Sequence, residues 1–299
     1  MKKILITGAD GQLGYELQRL LNSEAYVEKF SVLATDYQQL DITCKLSIDQ
    51  YFLQNQPDFC INAAAYTAVD KAESEKETAY AINATGAHNL ALACKQNNCQ
   101  LIQVSTDFIF DGNKTAPYLE IDTPNPLSVY GETKLQGELL AKEALPSVCI
   151  VRTAWVYSVH GHNFVKTMLK LMSEKESLSV VCDQIGTPTN AANLAKALLQ
   201  LIDVSAETSI SGTFHFTDNG VASWYDFATA IQQAGLRLGI LKQSIPVSPI
   251  PASAYPTPAA RPQCCVLDKS KLLCLLGEQG MHWQQALEEM LENLIKVNG

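Results

Sequence analysis

Lys3-Ile4-Leu5-Ile6-Thr7-Gly8-Ala9-Asp10-Gly11-Gln12-Leu13-Gly14 stands at the start of the chain. Lys3 to Thr7 is a short apolar run typical of a strand buried on both faces. Glycines follow at 8, 11 and 14, and Leu13, Leu17, Leu20 and Leu21 then recur at helical spacing. The glycines therefore occupy a strand-to-helix turn. Without Cβ atoms at Gly8, Gly11 and Gly14 the backbone turns tightly and approaches a pyrophosphate, whose charge rests on free helix N–H groups. A glycine triplet alone is more often an ordinary turn; its place between a strand and a helix predicts nucleotide binding.

Outward from that turn, apolar strands alternate with helices. Phe30 to Ala34 is a strand ending at Thr35-Asp36. Asp36 is positioned to accept hydrogen bonds from ribose hydroxyls and to repel a 2′-phosphate, which favours NADH or tolerance of both cofactors; the competing role is a turn or capping aspartate. Asp41-Ile42 follows as an acid and an apolar surface for adenine. Pro57 to Ala65 reads as a strand closing in Ala63-Ala64-Ala65-Tyr66, small residues that leave room for a flat ligand. Thr78 to Lys95 is a core-facing helix by its alanines, Leu90 and Cys94. Leu101 to Val104 is a strand running into Ser105-Thr106-Asp107, with Phe108-Ile109-Phe110 as an apolar wall. Val148 to Val151 is a further strand. This alternation predicts an α/β fold with a parallel, doubly wound sheet.

Tyr130 and Lys134 are one helical turn apart in Val129-Tyr130-Gly131-Glu132-Thr133-Lys134, so both project from one face. An ammonium so placed favours the phenolate and lowers the phenol's pKa, making the pair a candidate proton donor. An isolated Tyr/Lys pair is usually just a solvated helix face; the nucleotide turn upstream gives this one its meaning. After about residue 156 come helices over Asn163–Ser173 and Asn193–Ile202 and a short strand, Thr213 to Phe216. A helix N-capped by Ser223, a proline-rich loop or lid from Ile245 to Pro262, and an amphipathic helix from His282 to Val297 complete the chain.

Composition narrows the function classes. The chain has 299 residues, is 47% hydrophobic and carries a net charge of -9, which argues against a nucleic-acid partner. No apolar run is long enough to predict a membrane span. Nine scattered cysteines, without a CxxC pair, fit reduced thiols in a cytoplasmic protein, and the five histidines show no metal-ligand spacing.

The glycine turn, Asn62-Ala63-Ala64-Ala65, Ser105-Thr106-Asp107 and the Tyr130/Lys134 pair together resemble the extended short-chain dehydrogenase/reductases. Thr67-Ala68-Val69-Asp70-Lys71-Ala72-Glu73, Arg152-Thr153-Ala154-Trp155-Val156-Tyr157, Asp183 to Thr189 and Tyr255 to Pro262 extend the resemblance over essentially the whole chain. They point to the branch that reduces a dTDP-linked 4-keto sugar. The resemblance implies a Rossmann-type dinucleotide-binding domain over 1–155, with later segments returning to it. A smaller C-terminal domain over 156–299 is implied to be mainly substrate-binding. It implies NADPH or NADH as cofactor and reduction of the C4 ketone of dTDP-4-dehydro-L-rhamnose, a step toward surface polysaccharide. It places the cofactor at Gly8, Gly11-Gln12-Leu13-Gly14, Asp36, Asp41-Ile42, Ala63, Ala64, Ala65-Tyr66-Thr67, Tyr130 and Lys134.

By the same resemblance Tyr130, Lys134 and Thr106 are catalytic, and Thr106, Asp107 and Trp155 meet the sugar nucleotide. Arg261, the only cation of its loop, suits a diphosphate bidentately. Each has a plainer alternative: Asp107 as a turn cap, Trp155 as packing, Arg261 as solvated surface. Three departures from the pattern stand out. Phe108 stands where a Tyr is common and Cys265 where a Ser is common. Of three glutamates that hold a dimer-bridging metal in some relatives, only Glu16 is matched; Asn193 and Asn293 stand at the others. No metal and a monomer or weak homodimer are therefore expected. The rival readings are a regulatory nucleotide-binding subunit without turnover, and a reductase or epimerase for another nucleotide sugar.

Overall fold

Alternation within β1 (Lys2–Thr7) sends Ile4 and Ile6 to one face of a sheet and Leu5 to the other. A computed structural model describes residues 1–205 and 210–298. Around β1 the chain adds α1 (Gln12–Leu21), β2 (Phe30–Thr35), α2 (Lys45–Asn55), β3 (Phe59–Asn62), α3 (Val69–Ala72) and α4 (Lys76–Tyr80). A π-helical turn (Ala81–Thr85) leads into α5 (Gly86–Gln96), followed by β4 (Gln100–Thr106), a 3-10 turn (Asp107–Ile109), α6 (Val129–Ala144) and β5 (Cys149–Thr153). Beyond these lie β6 (Val156–Tyr157), α7 (Phe164–Glu174), β7 (Leu178–Val181), β8 (Ile185–Gly186), β9 (Thr189–Asn190) and α8 (Ala191–Ser205). The remainder is β10 (Gly212–His215), β11 (Ala222–Ser223), α9 (Trp224–Arg237), β12 (Val247–Ile250), α10 (Ser270–Leu276) and α11 (Trp283–Asn298).

Six strands form one sheet in the order β2-β1-β3-β4-β5-β10, every neighbouring pair parallel. Helices cover both faces, because buried parallel strands must hide both sets of side chains. Leu13, Leu17 and Leu21 of α1 and Leu194, Leu198 and Ile202 of α8 close over Ile4 and Ile6. Leu90 and Cys94 of α5 and Ala141 of α6 close over Leu5 and Leu101. A second core gathers Val165 and Met168 of α7, Phe227 and Ile231 of α9, and Leu287 and Leu291 of α11. The strand order reverses between β1 and β3, and a doubly wound sheet offers its ligand crevice at that reversal, outside the carboxyl ends of the strands.

The structure adjusts several boundaries. The expected strand over 57–65 is only β3, Phe59–Asn62. Its register with β1 ends at Thr7 opposite Asn62, and Ala63–Ala65 then pass beneath the Gly8 turn. The expected single helix over 78–95 is α4 and α5 joined by the π turn. Gly137 of α6 presses against that turn so closely that a Cβ would lie 2.1 Å from the Asn83 carbonyl oxygen. Within the Ile245–Pro262 stretch, Val247–Ile250 form β12, which pairs in parallel with β7. Ser223 caps α9 through a full capping box with Asp226. All nine cysteines are free thiols. Among the described residues no helix is long and apolar enough to cross a membrane.

Candidate active site

The carboxyl end of β1 runs into the glycine turn. Gly8 takes φ +68, a left-handed conformation, and a Cβ there would sit 2.7 Å from the Ala64 backbone. A Cβ on Gly14 would lie 2.3 Å from the Gly8 carbonyl oxygen, so only glycine lets α1 start this close to the turn. Gly11 is the N-cap of α1 and offers no side-chain acceptor to its first N–H groups. Those donors and their dipole suit a phosphate, so the residues present fit the pyrophosphate of a dinucleotide. Gln12 and Leu13 begin α1, and the Gln12 amide oxygen accepts from Asn163 Nδ2 at 3.0 Å.

The edge residues are held as follows. Asp36 ends β2, and its Oδ1 accepts from the Gln39 N–H at 2.8 Å, so the turn-capping role is realised at that oxygen. Asp41 Oδ1 caps Thr43 N and Oγ1 at 2.9 and 2.7 Å. Ile42 is 5% exposed and packs against Gly86. Ala63, Ala64 and Ala65 are half-buried at the crevice, and Thr67 is exposed.

Tyr66 is gripped by Asn83 of the π turn. Tyr66 N–H donates to Asn83 Oδ1 at 2.9 Å, and Asn83 Nδ2 donates to the Tyr66 carbonyl at 3.2 Å and to Thr133 Oγ1 at 3.1 Å. Asn83 thus ties the crevice loop to α6. Sequence reading missed it, although an amide within an alanine-rich helix was the available signal: buried polar groups need partners.

β4 and β5 deliver the reactive edge, with Thr106 in register with Thr153. Thr106 N-caps the 3-10 turn by accepting from Phe108 N–H at 3.2 Å, and its hydroxyl donates to Asp107 Oδ1 at 3.1 Å. Asp107 is 2% exposed and its Oδ2 has no partner among the described residues. Burial pushes its pKa up to about 7, against the pull of Thr106 and backbone donors. Cys265 Sγ–H donates to the Asp107 carbonyl at 3.1 Å, so the thiol at this departure from the family pattern supports the Asp107 backbone.

α6 starts at Ser128, whose hydroxyl accepts from Gly131 N–H at 3.2 Å. A Cβ on Gly131 would lie 2.2 Å from the Phe108 carbonyl oxygen, so the glycine after Tyr130 brings the helix onto the 3-10 turn. The Tyr130 ring then meets Phe108 edge-on at 5.4 Å. Burial pushes the Tyr130 pKa up to about 12; the Thr106 hydroxyl opposes this and the Asp107 charge adds to it. Lys134 is 5% exposed and donates to the Val104 carbonyl at 2.8 Å. Burial pushes its pKa down to about 8, with Glu138 opposing. Burial thus sets the direction of the Tyr130 shift, and the group that favours the phenolate is Thr106.

Trp155 lies just past β5 and remains partly exposed, with φ +47. Such a conformation costs a bulky side chain about 1–3 kcal/mol. Arg261 is not an isolated cation. Its guanidinium donates to both Asp70 oxygens at 3.1 and 2.8 Å, and Asp70 also accepts from Ala259 N–H at 3.2 Å. The arginine holds the Asp70 carboxyl below its ordinary range.

Glu16 is 2% exposed, ion-paired with Arg19 at 2.8 Å and hydrogen-bonded by Ser158 at 2.7 Å. Asn193 donates to Asp218 at 2.8 Å, while Asn293 lines a small cavity with Glu16 and two cations, Arg19 and Lys296. That donor set does not fit a divalent cation.

Three comparisons bear on this site. A family model described as RmlD substrate binding domain matches residues 1–296. A dTDP-4-dehydrorhamnose reductase of Aggregatibacter actinomycetemcomitans is 41% identical over 292 residues, covering 97% of this chain and 98% of the relative. The crystal structure of a Clostridium acetobutylicum dTDP-4-dehydrorhamnose reductase superposes with a TM-score of 0.90 at 43% identity, covering 98% of this chain and 99% of that one. A Bacillus anthracis dTDP-4-dehydrorhamnose reductase, solved in complex with NADP, does so with the same TM-score at 38% identity, covering 98% and 100% of the two chains.

Proposed function

The chain belongs to the family of the RmlD substrate binding domain, and from that premise we propose that it uses NAD(P)H to reduce the C4 ketone of dTDP-4-dehydro-L-rhamnose to dTDP-L-rhamnose. The observation that carries the reading is the meeting of Thr106, Asp107 and Tyr130 at the carboxyl edge of the sheet whose first strand enters the glycine turn. In this reading residues 1–155 hold the cofactor, and 156–299 chiefly hold the sugar nucleotide. Glu16, Asn193 and Asn293 give no basis for a metal-bridged dimer.

When bound at the crevice, the reduced nicotinamide supplies a hydride to C4. Tyr130 gives its phenolic proton to the C4 oxygen as negative charge grows there. A phenol with its pKa near 12 stays protonated at neutral pH, so the acid is present before reaction. Thr106 holds the same oxygen. Its proton turns toward Asp107 Oδ1 and must leave that acceptor for the hydroxyl to donate to the substrate. Lys134, beside Val104, would hold the nicotinamide ribose and carries positive charge at neutral pH.

The test is a turnover screen of dTDP-, GDP- and UDP-linked 4-keto sugars with NADH and with NADPH. We expect dTDP-4-dehydro-L-rhamnose to be consumed with one reduced cofactor per sugar. No loss of either cofactor with any of them, or C4 epimerisation with a retained NAD, overturns the proposal.

Cofactor choice follows from the end of β2. Tyr37-Gln38-Gln39 after Asp36 brings no cation to a 2′-phosphate. Wild-type protein should have the higher kcat/KM with NADH, and Asp36→Ala should shift the NADPH-to-NADH ratio up by roughly tenfold, equal to about 1.4 kcal/mol. A wild-type preference for NADPH contradicts the assignment.

Arg261 acts in this reading as an anchor of the Tyr255–Pro262 loop, not as a free diphosphate ligand. Arg261→Ala and Asp70→Asn should then weaken dTDP binding alike, by about two- to fivefold, the scale of a partly exposed pair. Weakening by Arg261→Ala alone, seen in titration calorimetry, returns the arginine to the diphosphate.

A further inference from the structure

Trp155 does not hold its left-handed backbone unaided. Its indole lies flat on that of Trp224, with ring centroids 3.5 Å apart and 8° between the planes. Trp224 is the first residue of α9, a position fixed by the capping box. Asp226 N–H donates to Ser223 Oγ at 3.0 Å, and Ser223 N–H donates to Asp226 Oδ2 at 2.9 Å. Phe164 packs against Trp224 with centroids at 4.7 Å. Gly186 of β8 comes up to the Trp155 ring, where a Cβ would lie 2.7 Å from it. β8 pairs with β11, the strand that leads into Trp224, so one ribbon carries both supports.

The pair packs against the second core without being enclosed by it. Both indoles stay partly exposed, whereas Trp283 in the same half of the chain is 4% exposed. Trp155 also follows Thr153, the residue in register with Thr106, so the stack borders the reactive edge.

We propose that Trp224 is a positioning residue for the sugar nucleotide: stacked on Trp155, it holds that indole as a fixed wall of the substrate crevice. Trp224 need not touch the ligand. This rests on the reading that Trp155 itself meets the sugar nucleotide.

Two stacked indoles give an exciton couplet in far-ultraviolet circular dichroism, which provides a signature independent of activity. The couplet should vanish in Trp155→Phe, Trp224→Ala and Trp224→Leu, persist in Trp283→Phe, and change when dTDP is added to wild type. In steady-state assays Trp224→Ala should raise KM for the dTDP-sugar about tenfold while kcat and the NADH KM change less than threefold. Trp224→Phe keeps a ring to stack and should recover most of that loss. Trp224→Leu keeps apolar volume without stacking and decides the matter if the alanine variant does not fold.

A lost couplet with an unchanged sugar KM in Trp224→Leu overturns the positioning role, provided Trp155→Ala raises that KM. If Trp155→Ala leaves the sugar KM unchanged, the wall itself is wrong and the proposal falls with it.

Discussion

Tyr130→Phe is expected to lower turnover by roughly 10²- to 10⁴-fold while NADH affinity stays within about threefold. The change removes one oxygen and keeps the ring, so the edge-on contact with Phe108 and the Gly131 approach to the 3-10 turn survive. What is lost is the phenolic proton that Tyr130 holds beside Thr106. Charge left on the C4 oxygen is then met by Thr106 alone. Fluorescence titration with NADH and single-turnover kinetics separate binding from chemistry. Turnover within threefold of wild type would remove Tyr130 as the donor.

Glu138→Ala is expected to destabilise the protein by about 3–5 kcal/mol, because it strands a buried guanidinium. Glu138 and Arg152 are 1% and 3% exposed, and Arg152 grips the carboxylate through Nε at 2.9 Å and Nη2 at 2.7 Å. Arg152 Nη1 also reaches His215 Nε2 at 3.4 Å, and burial together with the arginine pushes the His215 pKa down to about 4. A neutral His215 whose Nδ1 donates to the Asp268 carbonyl leaves Nε2 free to accept from Arg152. Urea unfolding measures the cost, and a loss under about 1 kcal/mol would contradict it. Replacing both partners, as in Glu138→Leu with Arg152→Met, should recover most of the stability because neither charge is then left unpaired. Glu138 also lies one turn beyond Lys134 and opposes the loss of its charge, so the single variant should deprotonate Lys134 at lower pH.

How much of this the amino-acid order discloses depends on the range of the contact. The strand entering Gly8, the helix from Gln12 and the Tyr130/Lys134 face are local patterns, and periodicity alone exposes them. The cap at Ser223 is equally local. Arg261 meets Asp70 across nearly two hundred residues, and no local pattern announces that pairing. Lys134 reaches the Val104 carbonyl, and Asp107 loses its water, only once β4 and α6 are docked. The sign of the Tyr130 shift was unreadable for the same reason: spacing shows which charge is near, whereas desolvation depends on the packed surroundings. Helical spacing over 78–95 likewise hid the π turn, because one extra residue in a turn leaves an alanine-rich pattern almost unchanged.

The account stands on delivery of hydride to the sugar's C4 and of a proton from Tyr130 to the oxygen it bears. NADH deuterated at its transferable position, incubated with the protein and dTDP-4-dehydro-L-rhamnose, tests this most directly by nuclear magnetic resonance of the product. Deuterium at C4 of dTDP-L-rhamnose is the predicted result. Deuterium remaining in the cofactor, or appearing at any other sugar carbon, would contradict it.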